Sequence, residues 1–220
     1  MTNALFITFE GPEGGGKSTQ AKLLAKWMKD RNIPHILTKE PGTEHIEECK
    51  KIRELLLDPN YSLAPNAELF LFLADRAQHV EQLIKPNLEK GIHVICDRYS
   101  DSTKSYQSAR GISRDKIDFI VDFATGKLMP NITFLLDIPI EVGLERAKAK
   151  SIYKDGDRME KEDNKFHKAV RNNFLKLAES ITEEHRFRII DASPPKDIET
   201  IHKEIIGVVS KELWLKGGNL

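Results

Sequence analysis

The sequence predicts an α/β fold: one domain built on a five-stranded parallel sheet with helices on both faces. Two observations carry that expectation. Five short apolar runs rich in β-branched and aromatic residues alternate with stretches of helical periodicity. The first run leads straight into a glycine loop that opens a helix, which is the arrangement of a phosphate cradle. A chain of 220 residues is long enough for one sizeable core. With no internal repeat, low-complexity block or Pro/Ser-rich linker to divide it, residues 1–220 are expected to form a single unit.

Leu5-Phe6-Ile7-Thr8-Phe9 reads as the first buried strand. Gly11-Pro12-Glu13-Gly14-Gly15-Gly16-Lys17-Ser18 then fits G-x-x-x-x-G-K-[ST]. Glycines let backbone N–H groups curl around an anion, and the helix N-terminus adds partial positive charge. Lys17 is placed to reach β- and γ-phosphates, and the Ser18 hydroxyl to ligate Mg²⁺. Behind them Ala21, Leu24, Ala25 and Met28 recur at helical spacing. Ile33–Thr38, Ile92–Cys96, Ile132–Asp137 and Phe187–Asp191 supply the other strands, and Ala67–Leu83 is a long helical stretch. Ligands of open α/β sheets sit beyond the carboxyl ends of the strands, so Glu10, Glu40, Asp97 and Asp137 are expected to point toward one crevice. The segment Ala147–Lys161 is densely charged, contains Gly156 and shows no apolar face before Phe166. Lys216–Leu220, with two glycines, is expected to fray.

Composition narrows the function. Lys plus Arg and Asp plus Glu number 34 each, so no global field draws the chain to a nucleic-acid polymer or a membrane. No apolar run approaches a membrane span, and the N-terminus lacks the pattern of a signal peptide. Cys49 and Cys96 stand in no metal-binding spacing, and Cys96 ends an apolar run, as a buried strand residue in a reducing cytosol would. A cytoplasmic location is expected. A GTPase would need N-K-x-D, but Asn164-Lys165-Phe166-His167 places a histidine where an aspartate would read guanine. A nucleic-acid motor would bring basic tracts or further domains.

Asp97-Arg98-Tyr99 follows the third strand. An aspartate there is placed to hold a Mg²⁺-bound water, and the arginine to bind a second phosphate group; a strand-ending salt bridge is the alternative. Phe72 and Arg76, four apart, share a helix face. Leu69, Phe72, Leu73 and Val80 equally describe a core stripe with Arg76 at its rim.

Asp97-Arg98-Tyr99-Ser100-Asp101-Ser102-Thr103, continuing to Tyr106-Gln107, resembles the D-R-Y…Y-Q signature of the thymidylate kinase family, as does Glu40-Pro41-Gly42 after the second strand. The likeness runs in the same motif order from Phe6 to about Ile206. It implies the P-loop nucleoside monophosphate kinase fold, phosphoryl transfer from ATP to dTMP with Mg²⁺ held by Ser18 and Asp97, and a homodimer. It also implies that ATP is cradled by Gly11, Pro12, Glu13, Gly14, Gly15, Gly16, Lys17, Ser18 and Thr19, with Arg146 beside it and the Asp191 loop near adenine. On the dTMP side it implies that Phe72 stacks on thymine while Arg76 bonds the base edge. Thr103 would contact the base from the other side, with Ser102 and Gln107 nearby, and Tyr106 would lie against the sugar at C2′. Glu13 would reach the 3′-hydroxyl, Glu40 and Pro41 would border the pocket, and Arg53 and Arg98 would clamp the acceptor phosphate.

In the same way Ala147–Lys161 corresponds to a mobile lid. Its Asp157-Arg158-Met159-Glu160 resembles D-R-x-E, so Arg158 joins Lys17 and Arg98 as a catalytic candidate, with Arg146, Lys150 and Lys154 secondary. Outside the lid such a charged run is by default a solvated helix face. The chain departs from the family pattern at Lys39, where an arginine is usual, and at Thr43, where a second glycine is usual. The following segment, Thr43–Lys51, is longer and more acidic than the pattern, which bears on Arg53. Two alternatives remain: a kinase for dUMP, CMP or GMP, and a switch protein that binds ATP without turnover.

Overall fold

A computed structural model describes residues 3–149, 156–180 and 185–217. The strands are β1 Phe6–Glu10, β2 His35–Lys39, β3 His93–Asp97, β4 Ile132–Asp137 and β5 Phe187–Asp191. They form one sheet in the order β2-β3-β1-β4-β5, every pairing parallel. The predicted five-stranded parallel sheet is therefore found. β2 starts two residues later than the apolar run suggests, because Ile33 donates its N–H back to Met28 at 3.0 Å to close the preceding helix, and Pro34 has no N–H for a ladder.

The helices are α1 Lys17–Lys29, α2 Glu47–Leu57, α3 Pro65–His79, α4 Lys85–Glu89, α5 Ser100–Ala109, α6 Arg114–Thr125, α7 Ile140–Lys148, α8 Asn164–Ala178 and α9 Ile198–Leu215. Pro65 opens α3 at a position where its fixed φ is helical and its missing N–H costs nothing. α3 runs into α4 through one wide π turn, Val80–Ile84. That wider turn precedes Pro86, whose ring would otherwise press on the carbonyl one turn back.

The period of two along each strand sorts side chains between the two faces. Leu5, Ile7 and Phe9 pack with α1 and α9, together with Ile95 and Phe134. Phe6 turns the other way, to Val94, Cys96, Tyr99 and the π turn, while Leu135 meets Phe174 of α8. Both cysteines are buried and free. The alternation also sets the chemistry at the sheet's edge. Asp97 shares the face of Ile95 and so meets α1, whereas Glu10 shares the face of Phe6 and lies under α5. No helix among the described residues is long and apolar enough to cross a membrane.

Candidate active site

A cavity of about 530 Å³ opens at the carboxyl ends of β1, β2 and β3. Its wall takes in Glu13, Gly14, Gly16, Lys17, Ser18 and Thr19 of the glycine loop, and Glu40, Pro41 and Arg53 on the β2 side. Phe72 and Arg76 come from α3; Asp97, Arg98, Ser102, Thr103, Tyr106 and Gln107 come from β3 and α5; Arg146 comes from α7. A second hollow on the loop's outer side is lined by Gly14, Gly15, Gly16, Arg146, Asp197 and Ile198.

The loop is seated by close backbone contact. A Cβ on Gly14 would fall 1.9 Å from the Gly143 carbonyl oxygen in α7, and one on Gly11 2.5 Å from the Leu136 oxygen. Only glycine fits either place. The Gly14–Gly143 contact also fixes α7, so Arg146, one turn on, reaches both hollows. Lys17 Nζ donates to the Pro12 carbonyl at 2.6 Å. Burial, then repulsion from Arg98, pull the Lys17 pKa down to about 8. The Ser18 hydroxyl donates to an Asp97 carboxylate oxygen.

Arg98 joins the two sides of the cavity. Its Nη1 donates to Gly11 O (3.1 Å) and Ser102 Oγ (3.0 Å), and its Nη2 to Glu13 Oε1 (2.8 Å) and Tyr106 Oη (3.3 Å). Tyr106 in turn donates its O–H to Glu13 at 2.7 Å. Burial works against the Glu13 anion, yet Arg98, Lys17 and the Tyr106 hydrogen bond outweigh it and hold its pKa at about 2. The Arg98 backbone is left-handed, with φ 72°, a strained state for a non-glycine residue that clusters at functional sites. Glu10 holds this turn in place. Its Oε1 accepts from Tyr99 N at 2.7 Å and Ser102 N at 3.3 Å, and its Oε2 from Ser102 Oγ at 2.6 Å. Burial and the nearby Asp101 push the Glu10 carboxyl above the usual range.

On α3, Arg76 is fully buried and gripped by the protein. Nε donates to Glu40 at 2.7 Å, Nη1 to Thr103 Oγ1 at 2.6 Å and Nη2 to Tyr99 O at 2.9 Å. Glu40 also accepts from His79 Nδ1 at 2.8 Å. Burial opposes the Glu40 anion, but Arg76 and His79 together hold its carboxyl below the ordinary range. Arg53 donates to Pro41 O at 2.8 Å and lies along Gly42, so the lengthened Thr43–Lys51 segment leaves it at the cavity.

The structure places the remaining sequence-predicted residues as follows. Of the four strand-end acids, Glu40 and Asp97 face the cavity. Glu10 is spent on the Tyr99–Ser102 turn, and Asp137 is held by Arg171 of α8 through two 2.7 Å bonds. Asp191 lies outside both hollows, its side chain capping Ser193 N at 2.9 Å. Arg158 does not face the glycine loop. It donates to Leu56 O at 2.7 Å and pairs with Glu68, while its neighbours Asp157, Met159 and Glu160 line the cavity. Lys150 and Lys154 lie outside the described residues. Glu68, Arg110 and Arg171 are not among the residues the sequence points to. Glu68 carried a readable signal, since it stands four residues before Phe72 and eight before Arg76, on the same face of α3.

A triphosphate loop and a second, aromatic-lined pocket sharing one cavity define a P-loop nucleoside monophosphate kinase. A family model described as thymidylate kinase matches residues 9–205. The thymidylate kinase of Carboxydothermus hydrogenoformans is 48% identical over 203 residues, covering 92% of this chain and 95% of that protein. That of Thermosipho africanus is 43% identical over 210 residues, covering 95% and 99%. The crystal structure of the Ehrlichia chaffeensis thymidylate kinase superposes with a TM-score of 0.74 at 32% identity, covering 94% of this chain and 98% of that one. This chain belongs to the thymidylate kinase family.

Proposed function

We propose that this chain moves the γ-phosphoryl of ATP to the 5′-phosphate of dTMP, giving ADP and dTDP, and that the two substrates meet at Arg98. The observation that carries this reading is the double attachment of Arg98, to Gly11 and Glu13 of the glycine loop and to Ser102 and Tyr106 of α5. A phosphate monoester has a second pKa near 6 and is mostly dianionic at neutral pH. Its attack needs no general base, so catalysis reduces to positioning and charge neutralisation. Lys17 exchanges the Pro12 carbonyl for phosphate oxygens, and the backbone N–H groups of the loop hold the rest. Arg98 neutralises the acceptor phosphate, with Arg53 on the Pro41 side. Tyr106 and Glu13, already bonded to each other, face the deoxyribose. Phe72 forms the platform for thymine, and Arg76 keeps one N–H on each terminal nitrogen for the base edge.

Mg²⁺ suits the Ser18 and Asp97 oxygens, because this ion is ordinarily held by one or two protein oxygens and completed by phosphates and water. Among the described residues no cluster of three or more His, Cys, Asp or Glu offers a protein cage instead. When bound, the ion supplies positive charge to the donor's phosphate oxygens. Arg158 acts from the lid, residues 147–161, by exchanging Glu68 for the transferred phosphoryl; Arg146 already stands beside the loop.

We also read a homodimer. Phe70 of α3 is 61% exposed, and Phe119 and Phe123 of α6 are 75% and 86% exposed, on two helices that pack together. The buried free thiols suit a reducing cytoplasm. A coupled ADP-release assay with dTMP, dUMP, CMP and GMP tests the activity. Fast turnover of dTMP with far slower CMP and GMP is expected, and equal rates would defeat the thymine pocket.

A further inference from the structure

Glu68, Phe72 and Arg76 recur along one face of α3, and Phe72 and Arg76 wall the cavity. Glu68 sits behind the wall, 1% exposed. Its Oε1 accepts from Gln107 Nε2 at 2.7 Å and Arg110 Nε at 3.3 Å; its Oε2 accepts from Arg110 Nη2 at 3.2 Å and from Arg158 Nη1. A carboxylate only accepts hydrogen bonds, so the nitrogen end of the Gln107 amide is the end that faces it. The amide oxygen is thereby turned the other way. Gln107 Oε1 is buried with no hydrogen-bond partner among the described residues, on a side chain that forms part of the cavity wall. A buried unpartnered acceptor is costly, and a ligand donor opposite it removes that cost.

We propose that Glu68 is a positioning residue for acceptor specificity: by holding the Gln107 amide nitrogen it keeps Gln107 Oε1 presented to the base pocket as a hydrogen-bond acceptor. Such a site takes a pyrimidine that carries N3–H, as thymine does. It rejects cytosine, whose N3 is itself an acceptor and would face Oε1 with no proton between them. This inference rests on the proposed reading that the pocket beside Phe72 holds the base. Sites built on one hydrogen-bond pattern discriminate strongly because the mispaired group stays buried.

Glu68→Gln tests it, because a carboxamide at 68 can donate as well as accept and frees the Gln107 amide to turn over. The substitution also takes a charge from Arg158, which alters turnover of every acceptor alike, so the readout is the ratio of kcat/KM for dCMP to that for dTMP. The ratio should rise at least tenfold, mainly through a higher KM for dTMP and a lower one for dCMP. In a Gln107→Leu background the same substitution should leave the ratio unchanged. An equal loss with both acceptors, or a tenfold shift that persists without Gln107, would show a merely structural role and overturn the proposal. If Glu68→Gln fails to fold, NMR of the wild-type protein decides. With dTMP bound, the Gln107 side-chain amide protons should be protected from solvent exchange, and exchange as fast as an exposed glutamine would overturn it. Failure of the wild type to form dTDP would refute the functional reading instead, whereas an active variant with an unchanged ratio refutes only the role of Glu68.

Discussion

The pH dependence of ATP binding follows from Lys17. Burial and the neighbouring Arg98 bring its pKa from 10.5 to about 8, with Glu13, Asp97 and Glu10 pulling the other way. The ammonium is thus roughly nine-tenths present at pH 7 and one-tenth at pH 9, by the ordinary titration relation. Triphosphate oxygens supply negative charge at the group and return its pKa toward the unperturbed value. If only the charged form grips the phosphates, affinity falls about tenfold between pH 7 and pH 9, or about 1.4 kcal/mol. The sign is fixed by linkage: binding raises the pKa, so it takes up a proton above the free-protein value and affinity declines as pH rises. The phosphates themselves titrate lower and do not contribute at pH 9. Isothermal titration calorimetry with Mg·ATP at pH 9, in two buffers of different ionisation enthalpy, should report uptake approaching one proton. Lys17→Met should abolish the uptake. Arg98→Met removes the repelling charge and leaves Glu13 to Lys17, so the midpoint should move upward. No uptake at pH 9 in the wild type, or full uptake in Lys17→Met, would refute the argument.

Two further predictions concern the lid and the surface. Arg158→Ala should lower the rate of phosphoryl transfer by about 10³-fold, in the range seen when a charge-neutralising arginine is lost, while dTMP affinity measured by calorimetry stays within a few-fold. Normal turnover would pass the role to Arg146. Phe123→Asp places a charge on the most exposed aromatic of α6 and should give a monomer in analytical ultracentrifugation where the wild type sediments as a dimer. A wild type that is monomeric at micromolar concentration would remove the dimer from the account.

The parts legible in the sequence are those written locally. The glycine loop, the alternation of strand and helix, and the Phe72/Arg76 spacing each lie within one element, and the sheet follows from them. β2 shows where the local signal stops: Ile33 is apolar and β-branched, yet its N–H is claimed by α1, and Pro34 has no N–H to donate although its carbonyl accepts from His93 N at 3.0 Å. The site's supporting residues are less legible because their partners are distant in sequence. Glu68 acquires its meaning from Gln107 and Arg158, 39 and 90 residues away. Asp137 looks like Asp97 as a strand-ending acid, but the register of α8 brings Arg171 to it. Nothing in the local pattern separates the two. The placement of Arg158 is of the same kind, since the D-R-x-E motif identifies an arginine without saying which carboxylate it meets.

The hydrogen bonds of Arg98 explain how an acidic residue is tolerated inside a phosphate loop. A guanidinium has five N–H groups, and here the four on Nη1 and Nη2 are engaged by Gly11, Ser102, Glu13 and Tyr106. Only Nε–H is uncommitted to these partners. On the proposed reading, an acceptor phosphate gains the full fork only by displacing one of them, and Glu13 is the one with a substitute, since Tyr106 also donates to it and a sugar hydroxyl can do the same. Glu13 holds Arg98 at the cavity through their 2.8 Å pair, and in the proposed mechanism it gives that place up to the acceptor dianion. Before the acceptor enters, the Glu13 carboxylate balances the charge of Arg98 at 2.8 Å, which a neutral residue at position 13 could not do. The same hydrogen bonds join Arg98 and Tyr106, the residues proposed to face the acceptor, to the glycine loop proposed to hold the donor.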